Sequence, residues 1–137
     1  MTGAAAQDWM TPVLASSSQE IPGWQLLAGW TDDGHLMTTL RLDHCGEPYI
    51  AGGFGGPPVW DNQVINHWYG AGDSEACLYV VVRTLPRIQR AWVTVNQDTW
   101  PVPLSESHPD FGVRFGACQL PTGDRPVRDL RPTFGAA

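Results

Sequence analysis

Histidine and cysteine are the side chains of this 137-residue sequence that are best suited to bind a metal ion. The candidates are His35, His44, Cys45 and His67. Structural zinc sites use ligand pairs spaced two to four residues apart, whereas His44 and Cys45 are adjacent and would point to opposite faces of a strand. A hairpin around Gly34 would also separate His35 from His44. We therefore expect these residues to be ordinary surface or hydrogen-bonded side chains, with no metal and no cofactor.

Two other arrangements could in principle support catalysis. A nucleophile needs a base that a third group orients, but Cys45 and His44 are only neighbours in sequence, and no Gly-x-Ser-x-Gly motif is present. Paired carboxylates occur at Asp32-Asp33 and at Asp73 with Glu75. The first pair lies in a turn signal and the second in a Gly-flanked loop, so turn formation explains both. We assign no catalytic residue.

A glycine-rich stretch, residues 52–56, is followed by two prolines rather than by the Lys and Ser/Thr of a phosphate-binding loop. The loop that it opens, residues 52–69, combines large aromatic side chains with carboxylate and amide groups. Such a mixture can stack on sugars and hydrogen-bond their hydroxyls, and it also forms hot spots for protein partners. The alternative is that Trp60 and Trp68 close the ends of a β-sandwich. The candidate contact surface consists of Phe54, Trp60, Asp61, Asn62, Asn66, Trp68 and Tyr69.

The charge of the chain limits the classes of molecule that are expected to bind it. The net charge is −6, and all eight basic residues are arginines, which argues against a protein that follows nucleic-acid phosphates. Charge is uneven: residues 1–82 hold nine acids and one arginine, and residues 83–137 hold seven arginines and five acids. This split could mark two complementary surfaces of a self-assembling subunit, although solvated faces of one domain explain it more simply.

Export and membrane signals are not seen in the sequence. Residues 1–8 lack a basic region followed by an apolar one, and the longest apolar run, residues 76–82, is too short to span a bilayer. The odd count of three cysteines favours free thiols. We therefore expect no membrane contact and a location in the cytoplasm or within an assembled particle.

The elements that would position the loop are short strands. Glycine and proline together make up about a fifth of the chain, which favours many turns. Apolar residues alternate in residues 24–31, and Asp32-Asp33-Gly34 is a hairpin signal before residues 35–42. Residues 76–84 are almost continuously apolar and indicate a central strand. The core is expected to include Leu26, Leu36, Leu40, Val80, Val82, Val93, Val113 and Phe115.

Six to eight such strands without a long helical segment predict an all-β protein. The predicted fold is a single antiparallel two-layer sandwich of immunoglobulin-like outline, with a small β-barrel as the alternative. Three parts are expected: an N-terminal arm (1–23), the β-sandwich domain (24–120) and a C-terminal arm (121–137). The arms are assigned from small, polar and proline-rich composition.

One stretch resembles proteins of a known kind. The apolar strand at residues 78–83, the alternating strand at 90–95 and the Pro-Val-Pro-Leu segment at 101–104 are similar to a pattern in uncharacterised β-sandwich proteins of high-GC Gram-positive bacteria. The resemblance covers about residues 76–120, and a glycine usual in the turn is replaced here by Gln97 or Asp98. It implies a β-sandwich fold and no activity. The use of arginine for every basic residue, together with the alanine, glycine and proline content, favours an origin in a GC-rich genome, bacterial or phage.

Three classes of function follow from these observations. The leading hypothesis is a non-catalytic interaction protein or structural subunit, in self-assembly or with a protein partner in a larger assembly such as a virion. The second is a ligand-binding module that uses residues 52–69, with carbohydrate as the leading ligand. The third is an enzyme of unrecognised type. Nucleic acid is not expected as a partner.

Overall fold

A computed structural model describes residues 9–17, 23–44, 47–71 and 77–137; of His44 it describes the backbone alone. Within these ranges the chain forms ten strands and one short 3-10 helix at Val127–Asp129, and no α-helix. The strands are β1 Thr11–Ala15, β2 Trp24–Trp30, β3 Leu36–His44, β4 Glu47–Phe54, β5 Ile65–Gly70, β6 Cys77–Thr84, β7 Ala91–Val95, β8 Asp98–Val102, β9 Arg114–Pro121 and β10 Thr133–Ala136.

The strands form three antiparallel sheets that do not close into a barrel. Their strand orders are β1-β2-β3-β4, β5-β6-β9 and β10-β7-β8. The prediction of an antiparallel all-β sandwich is therefore confirmed, and the barrel alternative is not seen. The structure adds a third small sheet, which covers the second face of β5-β6-β9.

The hairpin predicted around Gly34 is present. Strands β2 and β3 pair antiparallel from Trp30 opposite Leu36 to Trp24 opposite Leu42. Gly34 has a φ of +84°, a conformation in which a residue with a Cβ is strained, so the predicted turn is confirmed. Cross-strand pairing of this kind orients the apolar residues of both strands toward one face.

The core consists of two apolar clusters on either side of β6. Tyr79 and Val81 pack with the β1–β4 sheet, whereas Leu78, Val80 and Val82 pack with the β7–β8–β10 sheet. A strand that is buried on both faces is apolar at most of its positions, which explains the run from Leu78 to Val82. The predicted core is confirmed, since each member is at most 1% exposed: Leu26, Leu36, Leu40, Val80, Val82, Val93, Val113 and Phe115.

Both segments predicted as arms contribute to the sheets. In the N-terminal segment β1 pairs with β2, and in the C-terminal segment β10 pairs with β7. Val127 and Leu130 are buried in the cluster that contains Val80. These parts of the two segments are therefore paired strands, and the division of the chain into two arms and a domain stays a prediction. Short edge strands bury one face only, so few apolar residues suffice and the composition resembles a linker. Residues 1–8 and 18–22 of the predicted N-terminal arm lie outside the described residues.

The turn between β7 and β8 allows a test of whether a positive φ strains a residue other than glycine. Asn96 and Gln97 both have positive φ, 53° and 72°, as in the two-residue turns that favour Asn-Gly. We expect Gln97→Gly to raise the free energy of unfolding by about 0.5–1 kcal/mol, because glycine adopts this conformation without strain. Chemical denaturation measures the change. Asp98→Gly is the matched control: Asp98 begins β8, where glycine should instead destabilise by a similar amount. A Gln97→Gly variant no more stable than the parent would contradict the strain argument.

Candidate functional site

The candidate site is built on the loop that joins β4 to β5, residues 55–64. Its first half is paired to the β2–β3 hairpin, since the Leu36 N–H donates to the Gly56 carbonyl at 2.8 Å. Gly56 has a φ of +94°, and Asn62 has a φ of +66° in a turn that the Gln63 N–H closes on the Trp60 carbonyl at 3.0 Å. The loop therefore lies at the same end of the sandwich as the hairpin turn.

A buried arginine holds this loop in place. Arg83 lies in β6, is 0% exposed, and uses all five of its N–H groups as donors. Two donate into β3, to the Leu36 carbonyl at 2.8 Å and the Thr38 hydroxyl at 3.0 Å. The other three donate to loop carbonyls: Gly55 at 3.3 Å, Pro57 at 2.9 Å and Pro58 at 3.1 Å. These bonds offset part of the cost of burying the charge.

The charge of Arg83 also faces an aromatic ring. The guanidinium carbon lies 4.1 Å from the ring centroid of Phe54, within the range of a cation–π contact. Burial lowers the pKa of Arg83 to about 10, so the group remains a cation at neutral pH. Phe54, one of the predicted contact residues, thus has a supporting role beneath the loop.

Asn66 is the second support of the loop. It is buried, and its amide donates to the Pro57 and Pro58 carbonyls, at 3.2 Å each. Its carbonyl oxygen accepts from the Trp60 backbone N–H at 3.4 Å. This predicted contact residue therefore fixes the backbone on which Trp60 stands.

Trp60 is the exposed aromatic residue of the loop. Its side chain is 59% exposed, the largest value among the large hydrophobic residues of the described chain. It stands beside an open groove of about 560 Å³ with Phe54 and Ile65 as apolar walls and Asp61, Gln63 and His67 as polar ones. Asn62 is exposed at the tip of the same loop. This exposure does not agree with the alternative interpretation, in which Trp60 closes an end of the sandwich.

Trp68 and Tyr69 lie outside this groove. The indole of Trp68 packs against the core cluster and directly over the backbone of Gly52 and Gly70, where a Cβ would come within 2.2 Å and 2.7 Å of the ring. Trp68 is therefore the tryptophan of the pair that packs against the core. Tyr69 is 36% exposed, and its ring lies 6.4 Å from that of Phe134 in β10.

His67 forms a wall of the groove and packs on the C-terminal strand. Its ring stacks on Phe134 with centroids 4.0 Å apart, and partial burial lowers the pKa of His67, which favours the neutral imidazole at pH 7. Among the described residues, no three His, Cys, Asp or Glu side chains come close enough to hold a metal ion. His35 lies in the β2–β3 turn, and Cys45 is outside the described residues.

The groove combines a flat exposed indole with a carboxylate, an amide and a neutral imidazole. These groups stack and hydrogen-bond, which is the chemistry of binding. The structure brings together Trp60, Asp61 and Asn62 at the surface, places Phe54 and Asn66 beneath them, and separates Trp68 and Tyr69. Sequence reasoning missed Arg83. Its one signal was a charged residue inside an otherwise apolar strand.

Neither the helical segments nor the comparison with known proteins assigns a function or a family to this chain. None of the helical segments in the described ranges is long and apolar enough to cross a membrane. The immunoglobulin-like outline and the resemblance to β-sandwich proteins of high-GC Gram-positive bacteria stay predictions. No protein-family model, curated protein or solved structure matches this chain.

Proposed function

We propose that this chain is a non-catalytic interaction protein that binds a protein partner through the Trp60 groove. The observation that supports this most is the contrast between Trp60 and the loop beneath it. The indole is 59% exposed, yet its backbone is held by Asn66 and follows a segment to which Arg83 donates three hydrogen bonds. A rigid, exposed tryptophan loses little conformational entropy on binding, which is why such residues dominate interface energetics.

The proposal also covers the type of partner and the location of the protein. The partner is a second copy of this chain or another subunit of an assembly, in the cytoplasm or within a particle. Affinity purification from the native source followed by mass spectrometry identifies the partner, and sedimentation velocity of the purified chain measures self-association.

A carbohydrate is the second candidate ligand. It is favoured by one specific observation, the polar groups of Asp61 and Gln63 beside the Trp60 ring in the same groove. Sugars stack on flat indoles and hydrogen-bond to such neighbours. Retention on a glycan array that is lost in Trp60→Ala would select this candidate over a protein partner.

Trp60→Ala tests the site itself. We expect it to weaken association with the partner by about 2 kcal/mol, or about thirtyfold in Kd, because an exposed anchor is lost. The thermal midpoint should be almost unchanged, since the indole contributes little to the core. Isothermal titration calorimetry and thermal unfolding on the same sample measure both quantities.

Two other tryptophans provide matched controls. Trp68→Ala should lower the free energy of unfolding by about 3 kcal/mol, since it opens a cavity over Gly52 and Gly70. Trp100→Ala removes a 39% exposed indole from β8, in a different sheet, and should leave binding unchanged. Unaltered binding by Trp60→Ala, or a loss equal to that in Trp100→Ala, would disprove the proposed site.

A further inference from the structure

A second aromatic surface lies at the same end of the sandwich, outside the Trp60 groove. Trp9 and Trp30 are 51% and 44% exposed and together line a cleft of about 450 Å³ with Thr31 and Asp32. Neither tryptophan belongs to the loop of residues 52–69. The sequence alone gave no reason to group them, because 20 residues separate them.

Both indoles are held in position although they are about half exposed. The ring of Trp9 packs against Gly29, where a Cβ would come within 2.6 Å of it, so a larger residue at position 29 would displace the ring. The Trp30 indole N–H donates to the Asp110 carbonyl at 3.1 Å, and its ring lies 6.0 Å from that of Phe111. Exposed rings that are already ordered lose little entropy when a ligand stacks on them.

The charges around the cleft are negative. Asp32 lines it, and the Trp30 indole N–H donates to the backbone carbonyl of Asp110, a second acidic residue. Within the described parts of the chain neither Asp32 nor Asp110 has an ion-pair partner. The segment that leads into Trp9, residues 1–8, contains no basic side chain. An indole face with a carboxylate beside it attracts a cation both through the ring quadrupole and through Coulomb interaction.

We infer that the Trp9–Trp30 cleft binds a cationic side chain, an arginine or lysine presented by a peptide segment of a partner protein. Guanidinium stacks on an indole while it donates to a carboxylate, so Trp9, Trp30 and Asp32 supply both contacts. The inference is independent of the Trp60 groove and requires no particular partner there. The two surfaces lie close together, since Leu36, the residue paired with Trp30, donates its N–H to the Gly56 carbonyl of the loop that bears Trp60.

The test is an NMR titration of the full chain with an acetylated and amidated Gly-Arg-Gly-Arg-Gly peptide. We expect saturable shifts of the Trp9 and Trp30 indole N–H signals, with a Kd that rises about tenfold in Trp9→Ala and about threefold in Asp32→Asn. Asp32 is exposed, so Asp32→Asn keeps the test valid if Trp9→Ala loses stability. Trp60→Ala should leave this Kd unchanged, which separates this site from the Trp60 groove.

Three controls can overturn the inference. Asp43→Asn removes the same charge from an exposed position at the far end of β3 and should not change the Kd. The corresponding Gly-Glu peptide and maltohexaose should cause no saturable shift. Equal weakening by Asp43→Asn would reduce the binding to overall charge attraction. Saturable binding of the Gly-Glu peptide or of maltohexaose, or none of the arginine peptide, would show that the cleft does not select a cation.

Discussion

Val80→Asp should prevent this protein from folding. Val80 lies at the centre of β6, is 0% exposed, and packs in the cluster between β5-β6-β9 and β10-β7-β8. A carboxylate placed there is surrounded by apolar side chains with no cation to pair with, and burial of an unpaired charge costs more than the total stability of an ordinary domain. Far-UV circular dichroism and thermal unfolding should show no cooperative transition.

The conservative variant Val80→Ala separates the effect of charge from that of lost volume. It should remain folded, with the free energy of unfolding reduced by about 2–3 kcal/mol because a small cavity is left. If Val80→Asp proved soluble and melted cooperatively, β6 could not be the doubly buried strand that the structure shows.

Arg83→Met should be the most damaging substitution of a polar residue. Methionine fills much of the same space, but it leaves the carbonyls of Leu36 and Gly55 and the hydroxyl of Thr38 without the donors that Arg83 provides. Unsatisfied buried acceptors cost about 1–3 kcal/mol each, whereas removal of the buried charge returns part of that cost. We expect a net loss of about 3–5 kcal/mol in urea denaturation.

The same variant should also loosen the Trp60 loop. Residues 55–58 would lose three of their contacts to β6, so limited proteolysis within the loop should become faster even where the domain stays folded. Arg87→Met is the control, since Arg87 is exposed and belongs to no such network in the described structure. Parent-like stability and parent-like proteolysis of Arg83→Met would show that the five hydrogen bonds do not position the loop.

The fold class could be predicted from the sequence because its signals are local. Period-two alternation in β2 and β3, together with Gly34 at a turn, specifies which side chains face inward once any sheet forms. The continuous apolar run of β6 indicated burial on both faces. The short edge strands β1 and β10 could not be predicted in this way, because each has few apolar residues and forms by pairing with β2 or β7, which are distant in sequence or separated by turns.

The candidate site shows which features cannot be predicted from residues that are neighbours in the sequence. The sequence by itself determined that aromatic and amide residues cluster between β4 and β5, but Trp60 and Trp68 are the same residue type in the same segment. Only the tertiary structure decided that Trp60 stands at the surface and that Trp68 packs against the core, because the difference depends on whether Gly52 and Gly70 lie beneath the ring. Arg83 likewise looked like one charge at the end of a strand. Its acceptors lie 25 to 47 residues away along the chain, so its role as the anchor of the loop exists only when three-dimensional packing brings β3, β6 and the loop together.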